Sequence, residues 1–223
     1  EIFALELDDK GSLWIGGNRG LHRLDLATEE FSRIALDHAG SKEVSVRSLE
    51  LTHDGALWVG TESAALFEFN PADGTAEHYV HDAEDPASLS GGEVFSIFED
   101  DGRRLWVGTG GGLNLIDRFS DEITIYRNDP TNPNSVSADN VFTIFQDQGG
   151  LMWFGTLTGG LNKWNPRSWS FGHYKPENNG PRSFNNSNIP AFAEDFDGNT
   201  WVGTFGGGIN VIDRETGDVR QLR

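Results

Sequence analysis

One short pattern recurs five times in this chain and restricts what it can fold into. Each copy contains a tryptophan, with a glycine two residues after it and an Ile or Val twelve residues before it. The tryptophans, separated by 44, 48, 47 and 48 residues, are Trp14, Trp58, Trp106, Trp153 and Trp201. Tandem repeats of this length fold as similar supersecondary units that pack side by side. The sequence therefore predicts five units of one kind.

Each repeat indicates four short strands. The first strand, as in "VFSIFED", is apolar on both faces, which is typical of a strand covered on both sides. A turn such as Asp54-Gly55 leads to "LWVGT", and a glycine-rich loop, a third strand, a polar turn and a fourth strand follow. No window shows a helical period of 3.6. We therefore expect an all-β chain, a β-propeller of four-stranded antiparallel blades.

The whole chain, residues 1–223, is predicted to be one propeller domain or segment. The expected blades lie at about residues 1–45, 46–92, 93–139, 140–187 and 188–223. The five repeats either close into a ring or form an arc of a larger propeller, and we favour the arc because no strand is left over to join the two ends. An open arc exposes apolar blade faces, so self-association is a further expectation.

The charge balance excludes two classes of partner. Lys plus Arg is 17 against 35 for Asp plus Glu, a net charge of -18, which repels nucleic acid and anionic membranes. The sequence has no run of about 18 apolar residues, so membrane insertion of this segment is not expected.

No cofactor and no metal site are predicted. Without cysteine the chain has no disulfide, no catalytic thiol and no thiolate zinc site. His78 and His81 are close in sequence, but their odd spacing on an extended strand directs them to opposite faces. The turn "EDFDGN" at 194–199 lacks the downstream glutamate of a calcium loop.

The candidate ligand contacts are residues that break the repeat. Strand alternation places the glycine-rich loops and the connections between blades at one end of each blade, here called the connection face, and the hairpin turns at the other. The connections are polar, as in "DPTNPNSVSADN", which suits hydrogen bonding to sugar hydroxyls. The residues predicted to contact a ligand are Arg47, Phe205, Leu157, Arg182 and Phe184. For Arg47 the alternative is an arginine that lies over neighbouring apolar side chains.

The stretch "NVFTIFQDQGGLMWFGTLTGGLN", preceded by "YRNDPTNPNSVSADN", resembles the two-component regulator propeller repeat. The resemblance covers all five repeats and is weakest in the second, where "ESAALFEF" replaces the glycine-rich loop. It implies a periplasmic or other extracytoplasmic sensor region of a membrane-anchored bacterial receptor, such as a hybrid histidine kinase. It also implies a non-enzymatic propeller, usually of seven blades, that binds a small molecule such as an oligosaccharide.

Two alternative functions remain open. One is a propeller-fold glycoside hydrolase or lyase, which needs two converging carboxylates. The inner-strand pair Glu6 and Glu50 is the candidate for it, although no catalytic residue is assigned. The other alternative is a structural module that binds a protein through an exposed edge or face.

Overall fold

The computed structural model describes residues 1–36, 44–62, 66–165, 170–176 and 180–222. Within those ranges the protein is all β and contains no helix, and hence no helix that could span a membrane. The strands of the first three repeats are β1 (Ile2–Leu7), β2 (Ser12–Gly17), β3 (Gly20–Asp25), β4 (Phe31–Ile34), β5 (Val46–Leu51), β6 (Leu57–Thr61), β7 (Leu66–Phe69), β8 (Ala76–Tyr79), β9 (Val94–Glu99), β10 (Leu105–Thr109), β11 (Gly112–Ile116) and β12 (Ile123–Tyr126). Those of the last two are β13 (Val141–Gln146), β14 (Met152–Thr156), β15 (Leu161–Asn165), β16 (Ser170–Tyr174), β17 (Ala191–Glu194), β18 (Thr200–Thr204), β19 (Gly208–Ile212) and β20 (Val219–Leu222).

The twenty strands form five sheets, and each sheet contains the four consecutive strands of one repeat in chain order. Neighbouring strands whose pairing is resolved are antiparallel, as in the pairing of Leu49 with Val59. Only a few residues separate each strand from the next within a blade. The predicted fold class, a β-propeller of four-stranded blades with five repeats, is confirmed.

The chain divides into two compact units. Unit 1 contains Glu1–Gly110 and Asn114–Thr124, and unit 2 contains Gly111–Leu113 and Ile125–Arg223. Within unit 1, Trp14 and Leu21 of the first blade share a buried core with Val46 and Leu49 of the second. A first strand whose two faces pack against the preceding and the following blade must be apolar on both sides. This packing explains the "VFSIF" pattern.

Unit 2 repeats this packing. Trp153 and Leu161 of the fourth blade share a core with Ile189 and Val202 of the fifth. Pro190 stands just before β17, which has four residues where the other first strands have six. Because proline has no N–H to donate, it lies outside the ladder, and β17 begins at Ala191.

The first strand of the chain is less covered than its counterparts. The apolar side chains of β1 are 65% exposed at Ile2, 58% at Leu5 and 59% at Leu7, whereas Val46 and Leu49 are buried. Self-association through exposed apolar surface stays a prediction.

The connection face is found where the sequence predicted it within each blade. The residue that opens each glycine-rich loop donates its backbone N–H to the residue that precedes the first strand of the same blade. These bonds join Asn18 to Glu1, Glu62 to Ser45, Gly110 to Glu93, Leu157 to Asn140 and Phe205 to Asn188. The hairpin turns consequently lie at the opposite end of the strands.

Candidate functional site

Arg47 is neutralised locally. Its Nη2 lies 2.5 Å from Oε1 of Glu62, and its guanidinium lies 4.4 Å from the ring centroid of Phe3. The hydrogen bond from Arg47 lowers the pKa of the Glu62 carboxyl, so this pair stays charged at neutral pH. The two residues that break the repeat here, Arg47 and Glu62, therefore compensate each other, and a ligand role for Arg47 stays a prediction.

Phe184 occupies a repeated core position. It is 2% exposed, and its ring centroid lies 5.7 Å from that of Tyr174. Leu89 and Val136 precede their own blades in the same way, each between two serines, and are also buried. We therefore leave Phe184 out of the proposed binding surface and assign it to the packing of the connection.

Phe205 and Leu157 lie at the start of two glycine-rich loops on the connection face. The Phe205 side chain is 74% exposed, and Leu157 is half-buried. Their position leaves Phe205 accessible to a ligand, and a binding role for either residue stays a prediction.

The carboxylates of Glu6 and Glu50 each bind the backbone of the next blade. Glu50 Oε1 accepts the N–H of Glu99 at 2.8 Å, and the carboxylate of Glu6 accepts a hydrogen bond from the backbone of Leu51. Burial raises the pKa of Glu50 to about 7 against the Glu99 hydrogen bond, and the nearby charges of Glu6 and Glu99 act in the same direction as burial. Each glutamate thus joins adjacent blades of unit 1.

Arg182 lines a groove of about 750 Å³ in unit 2. The groove lies between the outer strands β15 and β16 of the fourth blade and the 214–217 turn of the fifth. The connection that carries Arg182 is fixed against β20, because Pro181 accepts the N–H of Val219 at 2.7 Å and Ser183 accepts the Gln221 side-chain amide at 3.0 Å. Side chains from two blades and the segment between them therefore meet here.

Three cations line this groove: Lys163, Arg182 and Arg214. Lys163 lies on β15 with its Nζ 4.8 Å from the ring centroid of Trp153. Burial lowers the pKa of Lys163; the charge of Asp147 opposes that effect and the charge of Arg182 adds to it, which places the two cations within electrostatic reach of each other. Arg214 lies against Gly198, where any Cβ would come within 2.6 Å of the Arg214 Nη1.

The carboxylates around the groove accept hydrogen bonds from uncharged groups, and the charge of Asp147 also acts on Lys163. Asp147 accepts the indole N–H of Trp153 at 2.8 Å, and Glu194 accepts the N–H of Gln148 at 2.9 Å. Glu215 also lines the cavity. Within the described ranges, no carboxylate forms an ion pair with Lys163, Arg182 or Arg214.

Of the three cations that line this groove, the sequence predicted a ligand contact only for Arg182, and that role stays a prediction. Lys163 pairs with Trp153 across the β14–β15 ladder, but Arg23 and Glu68 stand opposite Trp14 and Trp58 in the same way, so this position alone does not identify a site. Arg214 is the first residue of a hairpin turn on the face opposite the connections, where no ligand was expected. The groove therefore brings Arg182, a residue of a connection, together with residues of the opposite face.

Comparison with known proteins shows which family three of the repeats resemble and which solved structures share the fold. The model of a family described as two component regulator propeller matches residues 88–111, 135–158 and 183–206. No curated protein matches the chain.

Solved structures with the same fold include two bacterial extracellular domains and an enzyme. An extracellular domain described as part of a hybrid two component system of B. thetaiotaomicron is 21% identical with a TM-score of 0.77, covering 98% of this chain and 29% of that one. One described as part of a one component system of the same organism is 20% identical with a TM-score of 0.59, covering 100% and 37%. An inactive variant of virginiamycin B lyase from Staphylococcus aureus is 16% identical with a TM-score of 0.73, covering 100% and 69%.

The chain thus spans 29% and 37% of the lengths of the two extracellular domains, and at these identities the likeness concerns the fold. The assignment of the repeats depends on the three matched segments, which begin in the connections and extend into the glycine-rich loops. Three of the five repeats therefore match the two component regulator propeller family.

Proposed function

We propose that this chain is an extracytoplasmic, non-enzymatic ligand-sensing propeller of a membrane-anchored two-component or related signalling receptor. Its ligand is a small polar molecule such as an oligosaccharide. The observation that carries the proposal is the groove of unit 2, whose lining comes from two adjacent blades and the connection between them.

A ligand in this groove contacts both blades at once. It can touch Lys163 and the ring of Tyr174 on one side and the 214–217 turn on the other. Its affinity then depends on how the two blades are packed, and a ligand shifts a conformational equilibrium only through such a difference in affinity. Occupancy of the groove would thereby change interblade geometry, which an attached output domain can read.

The relatives support the sensing role and the compartment. The family model is named for two component regulators, and two structures of the same fold are extracellular domains of signalling systems. These likenesses favour a sensor over an enzyme and an extracytoplasmic location over a cytoplasmic one.

The hydrolase or lyase alternative has weaker support. The carboxylates of Glu6 and Glu50 both hold backbone amides of the next blade, which gives them a structural use. The likeness to virginiamycin B lyase is one of fold. The interaction-module alternative has the exposed β1 side chains in its favour and no defined partner.

A panel of oligosaccharides tests the proposal by thermal shift and by release of reducing sugar. A sensor gains thermal stability from a member of the panel and leaves that sugar intact, because a ligand that binds the folded state stabilises it. Sugar release that is lost in Glu50→Gln would establish the enzyme instead. A panel without any shift or cleavage would contradict both readings and favour the interaction module.

A further inference from the structure

Two equivalent grooves exist in this protein, and they differ in charge. A smaller groove of unit 1, about 350 Å³, is lined by Asp54, Glu68 and Glu77 of the second blade. Counted from Trp58 and Trp153, each residue lining it corresponds to one lining the groove of unit 2. The counterparts of its three acidic residues are Gly149, Lys163 and Gly172.

The groove of unit 1 contains its own counter-ions. Arg118, which follows the third strand of the third blade, reaches into it and lies 2.5 Å from Asp54, 3.3 Å from Glu68 and 3.3 Å from Glu99. Burial acts against the charge of Arg118, but the hydrogen bond and charge of Asp54, followed by those of Glu68, raise the pKa of this guanidinium overall. Arg118 pairs with these carboxylates, but they outnumber it, so the groove of unit 1 stays acidic and repels an anion.

The groove of unit 2 keeps only part of that compensation: Glu194 stands at the position of Glu99, and the charge of Asp147 acts on Lys163. Arg214 follows the third strand of its blade as Arg118 does, but glycine and lysine stand where Arg118 finds Asp54 and Glu68. Arg182 adds another positive charge where the second connection, beside the groove of unit 1, has Ala87. Lys163 and Arg182 lie near enough to repel each other, and within the described ranges neither forms an ion pair.

Lys163 is half-buried, whereas Arg182 and Arg214 are exposed, and cations that line one cavity without an ion pair attract an ion of opposite sign. The chain has a net charge of -18, so three cations converging on one cavity are a local exception. Tyr174 and the aliphatic part of Lys163 over Trp153 supply apolar surface beside the charges. Such a combination suits a ligand that carries both an oxyanion and a hydrophobic ring face.

We propose that the groove between the fourth and fifth blades binds the oxyanion groups of an acidic sugar, held by Lys163, Arg182 and Arg214. This inference rests on the proposed sensing function and specifies its ligand as a carboxylate-bearing or sulfate-bearing saccharide. The groove of unit 1, which stays acidic, does not bind it.

The test compares acidic and neutral ligands by titration calorimetry on the whole chain. The probes are trigalacturonate, the uncharged galactose trisaccharide and inorganic sulfate. The variants are Lys163→Glu, which installs the residue of the second blade, and Arg182→Gln. Arg23→Gln is the matched control, because Arg23 also lies over a repeat tryptophan, 5.7 Å from the ring centroid of Trp14, but in the first blade. Circular dichroism verifies that every variant is folded.

Trigalacturonate should bind, the neutral trisaccharide should not, and binding should weaken as ionic strength rises. Each groove variant should lose at least about tenfold in affinity, the scale of one charged hydrogen bond, while Arg23→Gln binds as the parent does. Tighter binding of sulfate than of trigalacturonate, with the same dependence on Lys163, would support the site and indicate a sulfated sugar.

The two proposals fail in different ways. Equal binding of the neutral trisaccharide with no effect of Lys163→Glu would overturn the acidic site and leave the sensor intact. Sulfate binding that depends on Lys163, with no saccharide bound by the parent protein or by any variant, would support an anion site and overturn the oligosaccharide sensor. Absence of binding by every probe overturns the acidic site.

Discussion

Trp106 donates its indole N–H to the carboxylate of Asp100 at 2.8 Å, and this bond ties the central strand of the blade to its first hairpin turn. The other carboxylate oxygen of Asp100 accepts the backbone N–H of Arg104 at 3.0 Å. The same bond between an aspartate and the tryptophan six residues later joins Asp8 to Trp14, Asp147 to Trp153 and Asp195 to Trp201. One buried or half-buried carboxylate therefore satisfies a tryptophan and closes a turn in four of the five repeats.

The second repeat lacks this bond. Thr52 stands in the aspartate position, and its hydroxyl donates to Asp54 at 2.7 Å instead. Trp58 is fully buried, and its indole nitrogen has no hydrogen-bond partner within the described part of the chain. A buried donor without an acceptor costs free energy of unfolding, about 1 to 3 kcal/mol in typical proteins.

Restoring the aspartate should stabilise the protein. Thr52→Asp is expected to raise the free energy of unfolding by about 1 kcal/mol, because a carboxylate can accept the Trp58 indole N–H. Urea unfolding measures the change. In a Trp58→Phe background the gain should disappear, since that ring has no N–H. A gain of equal size in both backgrounds would show that the indole is not its source.

Asp195 makes the stability of the folded protein depend on pH in the acidic range. Hydrogen bonds from Trp201 and then from Asn199 lower the pKa of Asp195 from 3.8 to about 2. Its stabilising contribution is therefore complete above the unfolded pKa and is lost as the pH falls through about 2. Asp195→Asn should lower the melting temperature at neutral pH and flatten its decline in acid. The control Asp197→Asn changes an exposed residue of the same turn, and an equal flattening there would contradict this role for Asp195.

Glu50 makes stability depend on pH in the opposite direction. Burial raises its pKa from 4.5 to about 7, so between these values the folded protein retains a proton that the unfolded chain has released, and stability falls as the pH rises. Glu50→Gln keeps an acceptor for the Glu99 N–H and removes the charge. At about pH 8 the variant should exceed the parent by about 2 to 3 kcal/mol in free energy of unfolding, with little difference at about pH 4. Urea unfolding at both pH values provides the comparison, with exposed Glu30→Gln as control; a pH-independent difference would refute the assigned cause.

Phe184 and Phe205 should respond differently to truncation. Phe184→Ala is expected to cost about 3 to 5 kcal/mol in free energy of unfolding, because it opens a cavity in the core of unit 2. Phe205→Ala should change stability by less than about 0.5 kcal/mol, because its side chain is exposed. Thermal unfolding of the two variants compares them directly. Similar losses in both would contradict the assignment of Phe184 to the core and Phe205 to the surface.

The architecture could be predicted from the sequence because every blade packs the same kinds of side chain at the same positions. The spacing of the tryptophans and the apolar first strands predicted five four-stranded sheets, and the structure has them. Alignment of the connections would also have shown that Phe184 shares its position with Leu89 and Val136, and so belongs to the core. The shortened β17 follows from Pro190, whose missing N–H the sequence displays.

The site was less predictable because it depends on which charges meet through space. Lys163 and Glu68 are single charged residues on the third strands of their blades. Nothing in either repeat shows that Glu68 faces an arginine that it attracts, or that Lys163 lies with two other cations. Arg118 and Arg214 have the same place in their repeats, yet only Arg118 forms ion pairs within the described ranges. Those differences arise from neighbouring blades, so a single-repeat pattern does not contain them.

Hydrogen–deuterium exchange with and without trigalacturonate tests most directly whether a ligand occupies the groove between the fourth and fifth blades. We expect slower exchange in the turns at 149–151 and 214–217, with no change in the matching turn at 54–56, because that turn lies in the acidic groove of unit 1. Protection confined to the connection face, around Arg47 or Phe205, would place the ligand elsewhere and contradict the account.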